Sequence, residues 1–192
     1  MLTAFIILGG ISVYSLHAGR EPYRAPVRGI CYFDIDRTLT TARDGDQIIR
    51  ECLSRGYDVG IVTASSRRRF HVCRNGVQTE PWVPPTLCRM LEASHGALYN
   101  STTELGGSTV LPSAYLQGNT VGGAKAYAMT ACRDRVYPHL PDSSLILFDN
   151  DPIVLRQVAR ANPNVRLVCA NVECGAPHGL TPAMVAHALE SM

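Results

Sequence analysis

The residues best suited to chemistry in this sequence are two aspartates one residue apart, Asp34 and Asp36, in the stretch YFDIDRTLT at 32–40. Side chains alternate along an extended chain, so both carboxylates point the same way. Like charges so placed repel each other, and a cation is expected between them. Such carboxylates can act as nucleophile, as general acid or base, or as metal ligands. The alternative is an acidic strand end that only faces water.

Lysine usage gives a second indication of a functional position. Lys125 is the one lysine of the chain, and the other 17 of its 18 basic residues are arginine. A solvated helix position would accept arginine equally well. A compact ammonium that must fit closely beside an anionic group cannot be replaced by a planar guanidinium of different reach. The lone lysine therefore favours a functional role for Lys125.

Alternating strands and helices must position these residues. Apolar runs rich in β-forming residues predict strands at 29–33, 57–62, 97–99, 145–148 and 165–170. Amphipathic periodicity and capping signals predict helices at 44–57, 66–75, 84–94, 121–136, 152–161 and 181–192. This alternation predicts an α/β fold with a doubly wound parallel sheet and helices on both faces. Ligands bind outside the carboxyl ends of the strands in such a sheet.

Polar residues follow the predicted elements in a fixed order: Asp34 and Asp36, then Thr63, then Lys125 on a later helix, then Asp149 and Asp151. In this order the sequence resembles the haloacid dehalogenase (HAD) superfamily of phosphohydrolases. YFDIDRTLT is similar to its first motif, a hydrophobic strand followed by Asp-x-Asp-x-Thr. GIVTAS resembles the second motif, GGAKAYAM carries the lysine of the third, and LILFDND resembles the acidic fourth. The resemblance covers residues 29–170, and the four motifs together are more specific than any one.

The resemblance implies a Mg²⁺-dependent phosphomonoester hydrolase that acts through an aspartyl-phosphate on a Rossmann-like, HAD-type sheet. Asp34 would be the nucleophile, and Asp36 the general acid and base. The phosphoryl group would be bound by Thr63, Ala64 and Lys125. The Mg²⁺ ligands would be Asp34, Asp36 (with its backbone carbonyl), Asp149 and Asp151.

Charge alone also points to a metal ion. Four carboxylates in one cleft would repel one another by a few kcal/mol per pair at an effective dielectric constant near 20. One lysine would not neutralise them. Mg²⁺ is the natural complement, because it takes oxygen ligands, keeps waters and binds phosphate.

Two departures from the family pattern bear on activity. Arg37 replaces the glycine common after the second aspartate, and the fourth motif is Asp-x-Asp, where other spacings of the acids are commoner. Asp151 is also well placed to cap the helix that begins at Pro152. The alternative function is therefore a catalytically silent protein that binds a phosphorylated partner. A receiver-like signalling domain is disfavoured, because its acidic residues precede its Thr and Lys.

Composition and the N-terminal segment bear on domain organisation and location. The 192 residues are 46% hydrophobic with a net charge of +2, which indicates one globular domain and gives no electrostatic signal for a nucleic-acid partner. The apolar segment 1–18 followed by the basic linker 19–28 predicts a signal anchor, with the phosphatase domain, 29–192, in the cytoplasm. A cleaved signal peptide with a secreted or periplasmic domain is one alternative, and a packed helix is another. Nothing indicates the oligomeric state.

Cysteines and loop lengths complete the sequence-based expectations. The seven cysteines show no metal-binding spacing, and Cys31 and Cys169 fall in predicted core strands, which favours a reducing compartment. Cys73 with Cys88, or Cys169 with Cys174, would be able to pair in an exported domain.

The stretch between Asp36 and Thr63 leaves no room for a large lid, so the cap is expected to be minimal. By resemblance, small-capped members often act on macromolecules or rely on a partner to cover the site.

Overall fold

The helices and strands of the protein were located in a computed structural model that describes residues 26–39, 41–63, 73–74, 77–78, 120–176 and 179–190. In these ranges they are β1 (Gly29–Phe33), α1 (Gly45–Ser54), β2 (Tyr57–Ile61), β3 (Cys73–Arg74), β4 (Val77–Gln78), α2 (Val121–Val136), β5 (Leu145–Asp149), α3 (Pro152–Ala161), β6 (Arg166–Cys169) and α4 (Pro182–Glu190). Three single turns accompany them, at Ile35–Leu39, Asp142–Ser144 and Val172–Cys174.

The main sheet of the described residues is all parallel and has the strand order β2-β1-β5-β6. β1 lies inside it, with Phe33 paired to Ile61 of β2 and to Phe148 of β5. On the far side of β5, Asp149 pairs with Cys169 of β6. The carboxyl ends of these strands therefore lie side by side at one edge, and the predicted α/β fold with a parallel sheet is confirmed.

Helices cover both faces of this sheet. Along β1, Cys31 and Phe33 pack into one apolar cluster with α1 and α4, whereas Ile30 and Tyr32 pack into another with α2 and α3. All four side chains are fully buried. A parallel strand buried on both faces must be apolar at every position, which is why β1 has the sequence GICYF without alternation.

The connections after β1 and β5 leave the sheet in opposite directions. β1 continues through α1 to β2, whereas β5 continues through α3 to β6 on the other side of the sheet. α1 and α3 also pack on opposite faces. Two neighbouring connections that diverge in this way open a crevice outside the carboxyl ends of their strands, where ligands bind in open α/β sheets. Asp34 follows β1 and Asp149 ends β5, at the edge where such a crevice is expected.

One predicted helix, at 66–75, is wrong in its last part. Cys73–Arg74 is instead a strand paired antiparallel with Val77–Gln78. The residues between the two strands are Asn-Gly, the pair most typical of a tight hairpin turn, and the helical interpretation overlooked this signal. Residues 66–72 of that prediction, the helix at 84–94 and the strand at 97–99 lie outside the described residues.

The predicted N-terminal anchor is not covered by the structure. Residues 1–18 and most of the linker 19–28 lie outside the described ranges. Within those ranges, none of the helices combines the length and the apolar character needed to cross a membrane. Membrane anchoring, and the cytoplasmic location of the domain, therefore stay predictions.

A disulfide joins Cys169 to Cys174, with the two Cα atoms 5.9 Å apart. This is one of the two pairings that the sequence left open. It links the end of β6 to the turn Val172–Cys174 and so holds that turn against the carboxyl edge of the sheet. Cys31, Cys52 and Cys132 are buried thiols outside this disulfide.

Candidate active site

A buried ammonium joins two strand ends at the carboxyl edge of the sheet. Nζ of Lys125 donates hydrogen bonds to Oδ1 of Asp34 at 2.7 Å and to Oδ2 of Asp149 at 2.6 Å. The exposed fraction is 5% for Lys125, 5% for Asp34 and 1% for Asp149. Lys125 is therefore not on a solvated helix face. Charge-assisted hydrogen bonds are stronger in such a site than in water, because the local dielectric constant is low.

Lys125 is held over the strand ends because α2 begins in close contact with α3. The N-cap residue of α2, Thr120, accepts a hydrogen bond from the backbone N–H of Gly123. Gly122 lies against α3, where an added Cβ would be 2.4 Å from the carbonyl oxygen of Val154. Its N–H also donates to Oε1 of Gln157 at 2.9 Å. The glycine pair before Lys125 thus allows the approach that brings the ammonium to the two carboxylates.

Burial and charge shift the pKa values of this cluster. Burial raises the pKa of Asp34; the charge of Lys125 opposes this rise, the charge of Asp149 adds to it, and hydrogen bonds from Lys125 and Thr63 oppose it. Burial alone would lower the pKa of Lys125, but the two carboxylates outweigh burial and raise it. The ammonium therefore stays charged at neutral pH. The ionised form of Asp34 would be favoured by further positive charge.

Thr63 reaches Asp34 from the neighbouring strand. The N–H of Val62 donates to the carbonyl oxygen of Phe33 at 3.0 Å, which extends the pairing of β2 with β1 beyond the end of the strand. The hydroxyl of Thr63 forms a hydrogen bond with the Asp34 carboxylate. Thr63 is 2% exposed. The structure thus brings together Asp34, Thr63, Lys125 and Asp149 from the predicted set. Ala64, the other predicted phosphate-binding residue, lies outside the described residues.

The turn Ile35–Leu39 carries the second aspartate and the arginine that follows it. Asp36 has φ −70° and ψ 125°, and its side chain is exposed. Arg37 is in the left-handed region, with φ 56° and ψ 4°. This conformation costs a residue other than glycine on the order of 1 kcal/mol. The backbone here therefore has the shape that glycine adopts without strain, and this chain keeps an arginine in it.

Asp151 caps a helix, as one interpretation of the sequence expects. Its Oδ1 accepts hydrogen bonds from the N–H groups of Ile153 at 2.8 Å and Val154 at 3.4 Å. Its own N–H donates to Oδ1 of Asp149 at 2.9 Å. Of the four predicted carboxylates, Asp34 and Asp149 thus meet at one cation. Asp36 is exposed, and the Asp151 side chain is engaged with α3.

The donor atoms of the cluster suit one kind of metal ion. In the described part of the chain, no group of three or more His, Cys, Asp or Glu side chains is close enough to hold a metal ion. Asp34 and Asp149 offer two carboxylates, and an ionised carboxylate has about four lone-pair sites, which the hydrogen bonds above do not exhaust. Mg²⁺ is commonly held by one or two carboxylates, waters and the substrate phosphate. This donor set therefore fits Mg²⁺.

Two asparagines at the same edge were not predicted. The Thr38 hydroxyl donates to Oδ1 of Asn150 at 3.4 Å. The backbone carbonyl oxygen of Asn150 accepts a hydrogen bond from Nδ2 of Asn171 at 2.7 Å. Asn171 also caps the turn Val172–Cys174. A positional signal existed, because Asn171 follows the last strand of the sheet at the edge where the other polar strand ends lie.

Comparison of the chain with protein-family models, curated proteins and solved structures finds no match. The function of the cluster must therefore be argued from its geometry and from the resemblance of its four motifs.

Proposed function

We propose that this protein is a Mg²⁺-dependent phosphomonoester hydrolase, with a HAD-type, doubly wound sheet and a minimal cap. The observation that carries the proposal is the position of Lys125, whose Nζ lies 2.7 Å from Asp34 and 2.6 Å from Asp149 at the carboxyl ends of adjacent strands. The connections after these strands add support, since they diverge at the point where open α/β sheets bind ligands.

Asp34 is the nucleophile of the proposed reaction. Its carboxylate oxygen attacks the phosphorus atom, the bond from phosphorus to the leaving oxygen breaks, and an aspartyl-phosphate forms. The Thr63 hydroxyl orients the carboxylate, and Lys125 offsets negative charge on Asp34 and on the phosphoryl oxygens. Thr63 and Ala64 bind those oxygens together with Lys125.

Asp36 performs the proton transfers. From the turn after β1 it donates a proton to the leaving oxygen and then takes one from the water that hydrolyses the aspartyl-phosphate. Mg²⁺, held by Asp34, Asp149 and the backbone carbonyl of Asp36, would neutralise charge on the phosphoryl group. Asp151 supports this site by fixing Asp149 through its N–H.

Hydrolysis of p-nitrophenyl phosphate tests the proposal. We expect Mg²⁺-dependent turnover that EDTA abolishes and that Asp34→Asn lowers by at least about 10³, because a carboxamide cannot form the covalent intermediate. Asp134→Asn is the matched control, since Asp134 is an exposed aspartate near the far end of α2 and should retain full activity. Activity that survives both EDTA and Asp34→Asn would refute the assignment.

A catalytically silent protein that binds a phosphorylated partner is the second candidate. It is favoured by the exposure of Asp36 and by the role of the Asp151 side chain, whose Oδ1 caps α3. This function predicts that the wild type binds inorganic phosphate without hydrolysing any ester, and that Lys125→Met abolishes the binding. Turnover of p-nitrophenyl phosphate by the wild type would exclude it.

A further inference from the structure

A second polar cleft lies beside the Lys125 cluster at the same edge of the sheet. It has a volume of about 420 Å³, within the range of small-molecule sites. The residues that line it include two arginines and two asparagines, Arg37, Arg43, Asn150 and Asn171, and none of the described lining residues is acidic. The described lining of this cleft therefore carries positive charge and several hydrogen-bond donors.

Hydrogen bonds join the walls of this cleft to one another and to the turn Ile35–Leu39. Nδ2 of Asn171 donates to the carbonyl oxygen of Asn150 at 2.7 Å, which joins the ends of β5 and β6. The N–H of Arg43 donates to the carbonyl oxygen of Leu180 at 3.0 Å. The hydroxyl of Thr41 donates to the backbone carbonyl oxygen of Arg37 at 2.5 Å. The backbone on both sides is thus fixed before any ligand arrives, which lowers the entropic cost of binding.

Arg37 connects the cleft to the proposed reaction centre. It directly follows Asp36 and holds a left-handed backbone conformation, φ 56°, that glycine would adopt without strain. Strained residues of this kind persist where the surrounding structure holds them, and they cluster at ligand sites. Arg37 also lines a neighbouring cleft of about 370 Å³, whose other charged lining residues are Arg156, Asp151 and Glu173. Arg37 is thus a residue of both clefts and directly follows Asp36 in the turn after β1.

We propose that this cleft binds a second anionic group of a small-molecule substrate whose phosphate monoester is placed at Asp34. The inference rests on the proposed hydrolase function and adds the substrate class, a small molecule with two anionic groups. Guanidinium groups bind phosphate and carboxylate through paired N–H donors, so Arg37 and Arg43 recognise either group. The side-chain amides of Asn150 and Asn171 supply further hydrogen bonds. No bond is made or broken in this cleft.

Three related sugar phosphates test the inference and distinguish the two anions. Glucose 6-phosphate has no second anion, glucose 1,6-bisphosphate adds a phosphate, and 6-phosphogluconate adds a carboxylate. We expect kcat/KM of the wild type to be about 10–100-fold higher for at least one of the two doubly anionic substrates, the range of one or two charged hydrogen bonds. Arg43→Gln should remove this preference and leave kcat/KM for glucose 6-phosphate within about twofold.

Arg160→Gln is the charge-matched control. Arg160 is exposed in the last turn of α3, a helix that starts at the carboxyl edge and runs away from it, so this variant should keep the preference. Equal kcat/KM of the wild type for all three substrates would overturn the inference. So would an Arg43→Gln variant that loses activity on all three equally.

The two proposals fail in different ways. Hydrolysis of p-nitrophenyl phosphate through Asp34 without a preference for two anions would leave the hydrolase and remove the second subsite. If no ester is hydrolysed, the hydrolase proposal falls, and calorimetric binding then tests the cleft. Glucose 1,6-bisphosphate or 6-phosphogluconate must bind the wild type at least about tenfold more tightly than glucose 6-phosphate, and must lose this advantage in Arg43→Gln. Equal affinities would overturn the inference in that case as well.

Discussion

Replacing Lys125 tests the cluster most directly, because one nitrogen atom there neutralises two buried carboxylates. The Nζ atom lies 2.7 Å from Asp34 and 2.6 Å from Asp149, so the two bound oxygens are within about 5 Å of each other. At an effective dielectric constant of about 20, like charges at that distance repel by about 3 kcal/mol. Lys125→Met removes the charge and leaves this repulsion. We expect it to lower the free energy of unfolding by about 3–5 kcal/mol at neutral pH.

The destabilisation by Lys125→Met should depend on pH in a definite direction. Burial already raises the pKa of Asp34, and loss of the ammonium raises it further. A carboxyl group whose pKa is higher in the folded than in the unfolded state binds protons on folding, so Lys125→Met gains stability as the pH falls toward about 4. The raised pKa of Lys125 means that its own contribution is complete below about pH 10.4 and is lost above it. The stability gap between wild type and variant should therefore shrink from pH 8 to pH 5.

Urea unfolding followed by circular dichroism at pH 5, 6.5 and 8 measures this gap. Lys125→Arg is the matched variant, because it retains the charge but must fit a larger planar group into a buried site, which costs about 1–3 kcal/mol. Its kcat should fall by about 10²–10³, since the compact donor is misplaced. A stability gap for Lys125→Met that does not change with pH, or a kcat of Lys125→Arg within about threefold of wild type, would refute the reasoning.

Two further substitutions separate structural from functional roles. Asp151→Ala should cost about 1 kcal/mol as the loss of the α3 N-cap, whereas Asp151→Asn should keep the cap, and urea unfolding compares them. A fall in Mg²⁺-dependent turnover in Asp151→Asn at unchanged stability would show that the carboxylate also supports the metal site; equal destabilisation of both variants would contradict the capping role. Arg37→Gly should be about 1 kcal/mol more stable than Arg37→Ala, because both lose the guanidinium and alanine alone keeps a Cβ at positive φ. Identical thermal unfolding of these two variants would show that the left-handed turn is not strained.

The sequence predicted the described main-sheet strands and the helices packed on them to within a few residues, because their signals are local. Helix α3, Pro152–Ala161, follows from a capping aspartate and a proline at its first position. The apolar run of β1 reflects its burial on both faces. The meeting of Asp34 and Asp149 at one edge also follows from the sequence, since parallel strands bring their carboxyl ends together.

Other features had no local signal that the interpretation used. The sharing of Lys125 between Asp34 and Asp149 depends on the contact of Gly122 with α3, which is a long-range packing effect. The left-handed backbone of Arg37 is not predictable from the sequence pattern, because arginine rarely adopts this conformation. The surrounding structure imposes it. The hairpin at Cys73–Arg74 was missed because an apparent helical segment outweighed the Asn-Gly pair.

The burial of its one lysine also determines the surface chemistry of this protein. Acetylation, methylation and ubiquitin attachment all require an accessible ε-amine, and the single lysine of the chain is 5% exposed and bound by two carboxylates. The folded domain therefore presents no lysine to modifying enzymes or to amine-reactive cross-linkers. Modification of Lys125 becomes possible only when the cluster opens, so its rate of labelling reports the opening of the fold around the site.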